Sequence, residues 1–188
     1  MNKNLLKYFL IMLIFALLIA PQNVNAQVSS FSIGGYLGMG SIKGNTSSQT
    51  SFAGSVFIDA APSLLSTLTV RLSYMYARKI EYFLPEDREN RYYPFVQAVT
   101  LKGLARQYIA ETLYLEEGFG FLYLNDRTIS NVNDWNYGIV FNLLGGIDLR
   151  QHSSTGVSLG LGTEYGLTFT NATATYLQAH LQVQYFFF

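Results

Sequence analysis

Eight stretches of the chain alternate apolar and polar residues, and this period of two restricts the fold more than any other feature. Side chains of a strand point alternately to its two faces, so each stretch is predicted to be a strand with one apolar and one polar face. The fourth stretch alternates less cleanly than the others. The stretches are Val28 to Gly40, Ser51 to Ala60, Thr67 to Lys79, Phe95 to Arg106, Thr112 to Leu124, Trp135 to Leu149, Gly156 to Thr168 and Tyr176 to Phe188.

Eight successive strands of this length are typical of an up-and-down barrel, and the polar faces decide which kind. A soluble barrel wets its outer face and needs many charges there, but 49% of this chain is hydrophobic and only 13% is charged. The polar faces carry mainly Gly, Ser, Thr, Asn and Gln, which suit a crowded interior. Connections after the first, third and fifth strands are expected to be long and those after the second, fourth and sixth short, as in outer-membrane barrels. The sequence therefore predicts an all-β, eight-stranded antiparallel up-and-down transmembrane β-barrel after a cleaved signal peptide.

Residues 1–26 are predicted to be that signal peptide, which leaves residues 27–188 as a single barrel domain. Lys3 and Lys7 precede the apolar run from Phe9 to Ala20, Pro21 breaks the run, and a cleavage site follows Ala26. A membrane anchor is the alternative, but the run is shorter than the ~20 residues that a spanning helix needs. The chain has no cysteine and a net charge of +0, which excludes disulfides and thiolate sites and gives no basic face for nucleic acid.

The closing segment, "YLQAHLQVQYFFF", is predicted to face lipid through its odd-numbered residues. Tyr185 and Phe187 then belong to an aromatic girdle at the periplasmic interface, and Phe188 is one residue beyond that register. The leader, the eight strands, "EEGFGFLYL" (Glu116 to Leu124) and the terminal Phe together resemble the small OmpA/OmpX-like family of bacterial outer-membrane β-barrel proteins. The resemblance covers about Val28 to Phe188. It implies residence in the bacterial outer membrane and recognition of the last strand by the barrel-assembly machinery.

The predicted inward faces carry a small set of ionisable residues. An eight-stranded barrel is just wide enough for side chains to fill, so these groups must be paired. With a hairpin that turns near Tyr108, Lys102 lies opposite Tyr114 and one diagonal step from Glu116, and we expect Arg71, Lys102, Glu116 and Glu164 to form one buried network. Two interpretations remain open: a polar core that holds the barrel shut, or a gate in a narrow ion path. The inward ionisable residues are Asp59, Arg71, Lys102, Glu116, Asp148, Glu164 and His180.

No catalytic, cofactor-binding or metal-binding residues are predicted. His152 lies in a turn, His180 has only glutamines as same-face neighbours, and no acid–His–Ser grouping is visible. The predicted function is therefore a non-enzymatic structural or surface-interaction role, with a narrow solute or ion channel, or a lipid-modifying outer-membrane enzyme, as alternatives. The expected partners are outer-membrane lipid, the assembly machinery and a surface ligand at the loop of residues 80–94, for a monomeric protein.

Glu117 does not fit the scheme. It falls on the lipid-facing register of the fifth strand, where a carboxylate costs about 1–3 kcal/mol depending on depth. Either a β-bulge turns it away from lipid, or it lies near an interface.

Overall fold

The computed structural model describes residues 28–62, 68–80, 94–129, 133–150, 153–170 and 173–188. The predicted signal peptide and most of the loop of residues 80–94 lie outside these ranges, so both remain predictions. Within them the chain forms eight strands. Their bounds are β1 Val28–Lys43, β2 Gln49–Pro62, β3 Leu68–Lys79, β4 Phe95–Tyr108, β5 Leu113–Arg127, β6 Asp134–Asp148, β7 Gly156–Thr168 and β8 Thr175–Phe186.

The strands close into one barrel in sequence order. Each strand pairs antiparallel with its neighbours in the sequence, and β1 also pairs with β8. Following paired residues once round the barrel from Ile33 returns to β1 at Lys43, ten residues further along the strand. Such a stagger requires tilted strands. The predicted eight-stranded up-and-down barrel is confirmed.

The predicted alternation of long and short connections is wrong. Residues 44–48 after β1 form no longer a connection than residues 63–67 after β2, and residues 149–155 after β6 outnumber residues 128–133 after β5. The error arises because polar residues at the strand ends, such as Ser41 and Thr50, stay paired in the ladder instead of leaving it. Only the connection from residue 80 to residue 94 is clearly long.

The sorting of side chains between the two faces follows the predicted parity. Large apolar side chains such as Leu37, Phe121 and Leu181 are exposed on the outside, whereas polar side chains on the opposite parity are buried inside. No helix in the described part of the chain is long and apolar enough to cross a membrane.

The predicted register of the β4–β5 hairpin is wrong. Tyr108 pairs with Tyr114, so Lys102 lies opposite Gly120 and Glu116 lies opposite Arg106. The turn occupies residues 109–112, where the backbone N–H groups of Ile109 and Ala110 donate to the carbonyl of Leu113. Placing the turn near Tyr108 ended β4 too early.

Glu117 lies on an undistorted part of β5. It pairs with Ala105 on one side and Leu143 on the other, and the pairing of β5 with both neighbours continues without a register shift. No β-bulge therefore turns Glu117 away, and its side chain is exposed on the outside of the barrel.

The charged interior as candidate functional site

The barrel has a terminal end, where β1 begins and β8 ends, and an opposite far end. Near the terminal end, Arg71 of β3 joins a carboxylate of the neighbouring β2 to one of β5. Its Nε and Nη2 each donate to Asp59 at 2.8 Å, and its Nη1 lies 3.1 Å from Oε1 of Glu116. Arg71 is 1% exposed, and its guanidinium also lies over the Phe57 ring at 4.0 Å. A buried arginine with two acidic partners has its charge compensated on both sides.

Arg106 and Gln184 close this arrangement into a ring. Nη2 of Arg106 donates to Oε2 of Glu116 at 2.6 Å and to the side-chain oxygen of Gln184 at 2.8 Å. The amide of Gln184 in turn donates to Asp59 at 2.8 Å. We call Asp59, Arg71, Glu116, Arg106 and Gln184 the terminal-end cluster. Its two arginines and two carboxylates balance in charge.

A second group, the central cluster, surrounds Glu164 of β7. Nζ of Lys102 forms an ion pair with Oε2 of Glu164, while the hydroxyls of Tyr36 and Tyr176 donate to Oε1 at 3.2 and 2.8 Å. The His180 ring stacks on Tyr36 at 4.2 Å between centroids, and both its ring nitrogens are buried without a hydrogen-bond partner among the described residues. The central cluster comprises Tyr36, Lys102, Glu164, Tyr176 and His180.

Glycines make room for the long side chains of these clusters. A Cβ at Gly166 would lie 2.2 Å from the Tyr176 ring, so the missing side chain lets Tyr176 lie flat on β7 and reach Glu164. A Cβ at Gly146 would likewise lie 2.5 Å from the Tyr114 hydroxyl. Tyr114 in turn supports Arg106, whose guanidinium lies 4.2 Å from its ring centroid.

The four residues predicted to form one network occupy both clusters. Arg71 and Glu116 meet in the terminal-end cluster, and Lys102 and Glu164 meet in the central cluster. The expected register, with Lys102 one diagonal step from Glu116, is wrong, because Arg106 takes the position opposite Glu116. All four side chains are inside the barrel and no more than 1% exposed.

The interior toward the far end contains an apolar cluster, which the alternation alone did not predict, beside buried polar side chains such as Asp126 and Asn136. The apolar side chains are almost completely buried and come from every strand except β7, with one residue from the β7–β8 connection. Together with Tyr36 and Tyr176 they form one cluster, the far-end core: Ile42, Ala53, Met75, Ala77, Val96, Ala98, Leu122, Leu124, Val140 and Ala174.

Solved structures match this barrel, although no protein-family model and no curated protein sequence matches the chain. Neisserial surface protein A matches with a TM-score of 0.55 at 10% identity, over 82% of this chain and 96% of its own. Ail, the attachment invasion locus protein of Yersinia pestis, in complex with the heparin analogue sucrose octasulfate, matches with a TM-score of 0.51 at 12% identity, over 84% and 97%. The fold is that of the small outer-membrane β-barrels. At these identities the likeness concerns the fold alone, and at that level it confirms the resemblance seen in the sequence.

The aromatic residues at the end of the sequence lie on both the outer and the inner face of this outer-membrane-type barrel. Tyr185, Phe187 and Phe188 are exposed at the terminal end, as the register predicted for the first two. Phe187 and Phe188 continue the pairing with β1 through hydrogen bonds to both backbone groups of Phe31. Phe186 is buried inside the barrel.

Phe186 belongs to a polar rim that sequence reasoning missed. The guanidinium of Arg150 lies 3.7 Å from the Phe186 ring centroid and donates to Asp148 at 2.6 Å and to the Tyr108 hydroxyl at 3.0 Å. The hydrogen bond to Asp148 raises the pKa of Arg150. Arg106 and Arg150 were missed because both lie at or beyond a predicted strand end. The even-numbered parity of Arg106 on β4 was the one available signal.

Of the two histidines, the structure describes only His180. His152 lies outside the described residues, and the His180 ring packs on Tyr36. Among the described residues, no group of three or more His, Asp and Glu side chains could hold a metal ion.

Proposed function

We propose that this protein is an integral protein of the bacterial outer membrane, with a structural or surface-interaction role and no enzymatic activity. The observation that carries the proposal is the inverted polarity of the barrel. Outward residues such as Leu161 and Leu181, 64% and 66% exposed, are apolar, whereas Arg71, Lys102, Glu116 and Glu164 are inside. Exposing such an exterior to water is unfavourable, whereas contact with the hydrocarbon of a membrane is favourable. The terminal end then faces the periplasm and the far end faces the outside.

We further propose that side chains close the barrel interior against solutes. Two features support this. The terminal-end cluster joins β2, β3, β4, β5 and β8 by hydrogen bonds and ion pairs across the interior. The far-end core presents mainly apolar side chains to an ion, which would have to lose most of its hydration shell there. In this proposal the chain is inserted by the barrel-assembly machinery and works as a monomer surrounded by outer-membrane lipid.

The membrane assignment is tested by fractionation and by gel mobility. The protein is expected in the outer-membrane fraction, soluble only with detergent, and to change its mobility when heated, because a folded barrel runs differently from the unfolded chain. A mature protein that stays in solution without detergent would disprove the assignment.

The closed interior is tested by conductance in planar bilayers. The folded protein is expected to give no discrete current steps. The informative comparison is the double variant Leu122→Ser and Leu124→Ser, which makes the far-end core polar. Steady current steps from the unaltered protein would favour the alternative of a narrow ion channel.

A surface ligand at the loop of residues 80–94 is a second candidate function. Two observations favour it: this connection is the longest of the barrel, and Ail, which shares the fold, was crystallised with a heparin analogue. Replacing residues 82–92 by a short Gly-Ser linker is expected to abolish adhesion of expressing cells to a sulfated-glycan surface, while the heat-dependent mobility is retained. Adhesion that survives this change would move the site to another loop.

The enzyme alternative is tested separately on lipid A. Lipid A from cells with and without the protein is expected to have identical masses, and a mass difference that depends on the protein would establish lipid modification.

A further inference from the structure

The outward carboxylate of Glu117 stands in a groove on the outer wall of the barrel. The groove has a volume of about 550 Å³, within the range of small-ligand sites, and runs across β3 to β7. Leu68 lines one end of it, and Leu68 is the first residue of β3, so the groove reaches the terminal end of the wall. Phe119 and Phe141, whose ring centroids are 5.2 Å apart, form part of its apolar lining.

Within the part of the chain that the structure describes, the Glu117 carboxylate has no partner. Among the described residues, no hydrogen bond or ion pair engages Glu117, and every other outward residue of β5 from Leu113 to Tyr123 is apolar. A carboxylate in an apolar membrane-facing groove is unfavourable alone and is stabilised by a cation with N–H donors.

We propose that this groove binds a phospholipid whose head group carries a primary ammonium, with the ammonium on Glu117 and an acyl chain against Phe119 and Phe141. The lipid enters from the terminal end past Leu68, which is the periplasmic side. The inference rests on the proposed membrane location. A lipid is favoured over a protein partner because the groove is lined mainly by apolar residues and carries a single charge. This lining matches an acyl chain attached to one cationic head group.

The site also explains the small residues beside Glu117. Gly103 lines the groove, and a Cβ there would meet only ordinary contacts, 3.8 Å from Leu68 and 3.9 Å from Phe119. The barrel therefore has room for a side chain at Gly103, and the absence of a side chain there keeps the groove open. Gly145 of β6 is a suitable comparison, since a Cβ there would meet nothing within 4 Å and the residue does not line the groove.

The test is native mass spectrometry of protein purified from cell envelopes in detergent. Mixed micelles contain equal amounts of phosphatidylethanolamine, which has the ammonium, and phosphatidylglycerol, which lacks it. The unaltered protein is expected to retain one phosphatidylethanolamine with a preference of about tenfold, the effect of one charge-assisted hydrogen bond. Glu117→Gln is expected to abolish the preference, and Gly103→Leu to abolish retention of either lipid.

Two control variants make the same chemical changes outside the groove. Glu111→Gln removes an exposed carboxylate from the β4–β5 turn, and Gly145→Leu adds the same side chain to another outward glycine; both should retain the lipid as the unaltered protein does. Equal retention of the two lipids by the unaltered protein, or no effect of Glu117→Gln, would overturn the proposal. A Glu117-dependent dimer in the same spectra would replace the lipid with a second copy. If the heat-dependent mobility shows a folded barrel in every sample, these failures concern the groove alone; a protein that needs no detergent would overturn the membrane proposal as well.

Discussion

The two halves of the interior are built on the same alternating strands yet are held together by different forces. In the terminal half, Arg71 and Glu116 form buried ion pairs, with Leu104 and Leu144 as apolar fillers over Gly118 and Gly160. In the far half, Met75 and Leu124 belong to an apolar cluster without charges. Period-two alternation therefore determines which side chains point inward, but it does not determine whether the inward side chains at a given level of the barrel are charged or apolar.

The difference predicts different responses to substitution. A buried ion pair depends on both partners, so losing one strands the other, whereas losing both removes the problem. An apolar cluster loses stability in proportion to the volume removed. The four predictions below test this contrast by urea unfolding from phospholipid vesicles. Unfolding is followed through the fluorescence of Trp135, the single tryptophan, which faces outward on β6.

Arg71→Met is expected to give the largest loss, about 3–5 kcal/mol of unfolding free energy. The substitution leaves Asp59 and Glu116 without the cation that both of them share, in the most buried part of the terminal-end cluster. Arg78→Met is the matched control, because Arg78 lies on the same strand but is exposed. It is expected to cost no more than about 1 kcal/mol. Equal losses for the two variants would contradict the claim that buried ion pairs stabilise the terminal half of the interior.

Leu124→Ala is expected to cost about 2–4 kcal/mol by opening a cavity in the far-end core. Leu124 is fully buried, so the surrounding side chains can only partly fill the space. Leu37→Ala, on the outer face, keeps the same chemical change but leaves no internal cavity, and its loss should be clearly smaller. A larger loss at Leu37 than at Leu124 would mean that the far-end core contributes little.

The sequence predicted which residues enter the barrel but not how they pair. Parity alone placed Arg71, Lys102, Glu116 and Glu164 inside, since the outward residues around them are apolar. Pairing across the interior depends on the stagger of the closed barrel and on the position of each turn. A turn placed only a few residues early moved Lys102 opposite Tyr114, and the same error hid Arg106, the second cation at Glu116.

The far-end core was missed for a different physical reason. Inward apolar residues such as Leu122 and Val140 are flanked by outward apolar residues, so the local pattern is a continuous apolar run with no polar face to reveal it. Glu117 was the converse case. Its outward register was read correctly, and only the regular pairing of β5 excluded a bulge.

The double variant Lys102→Met and Glu164→Gln is expected to be much less destabilised than Lys102→Met alone, which should lose about 3–5 kcal/mol. The single variant strands the Glu164 carboxylate, whereas the glutamine of the double variant is uncharged and its side-chain oxygen still accepts from Tyr36 and Tyr176. The measurement is a double-mutant cycle completed with Glu164→Gln. Additive losses would show that Lys102 and Glu164 are not energetically coupled.

Arg150→Gln at the rim is expected to have the smallest effect, at most about 1 kcal/mol, although its contacts resemble those of Arg71. Both guanidiniums bind a carboxylate and lie over an aromatic ring, but the Arg150 side chain is 19% exposed and that of Arg71 only 2%. Water and salt therefore screen the rim pair, so the loss should shrink as salt is raised, whereas the loss for Arg71→Met should not change.

The pH dependence of the rim pair follows from the same contact. Because the hydrogen bond to Asp148 raises the pKa of Arg150, the contribution of the rim pair to stability is fully present below the ordinary arginine pKa and is lost only as the pH rises through the raised value. The Arg150→Gln difference should accordingly stay constant between about pH 6 and 9. A salt-independent loss for Arg150→Gln as large as that for Arg71→Met would contradict this prediction. It would show that the rim pair is as shielded from water as the terminal-end cluster.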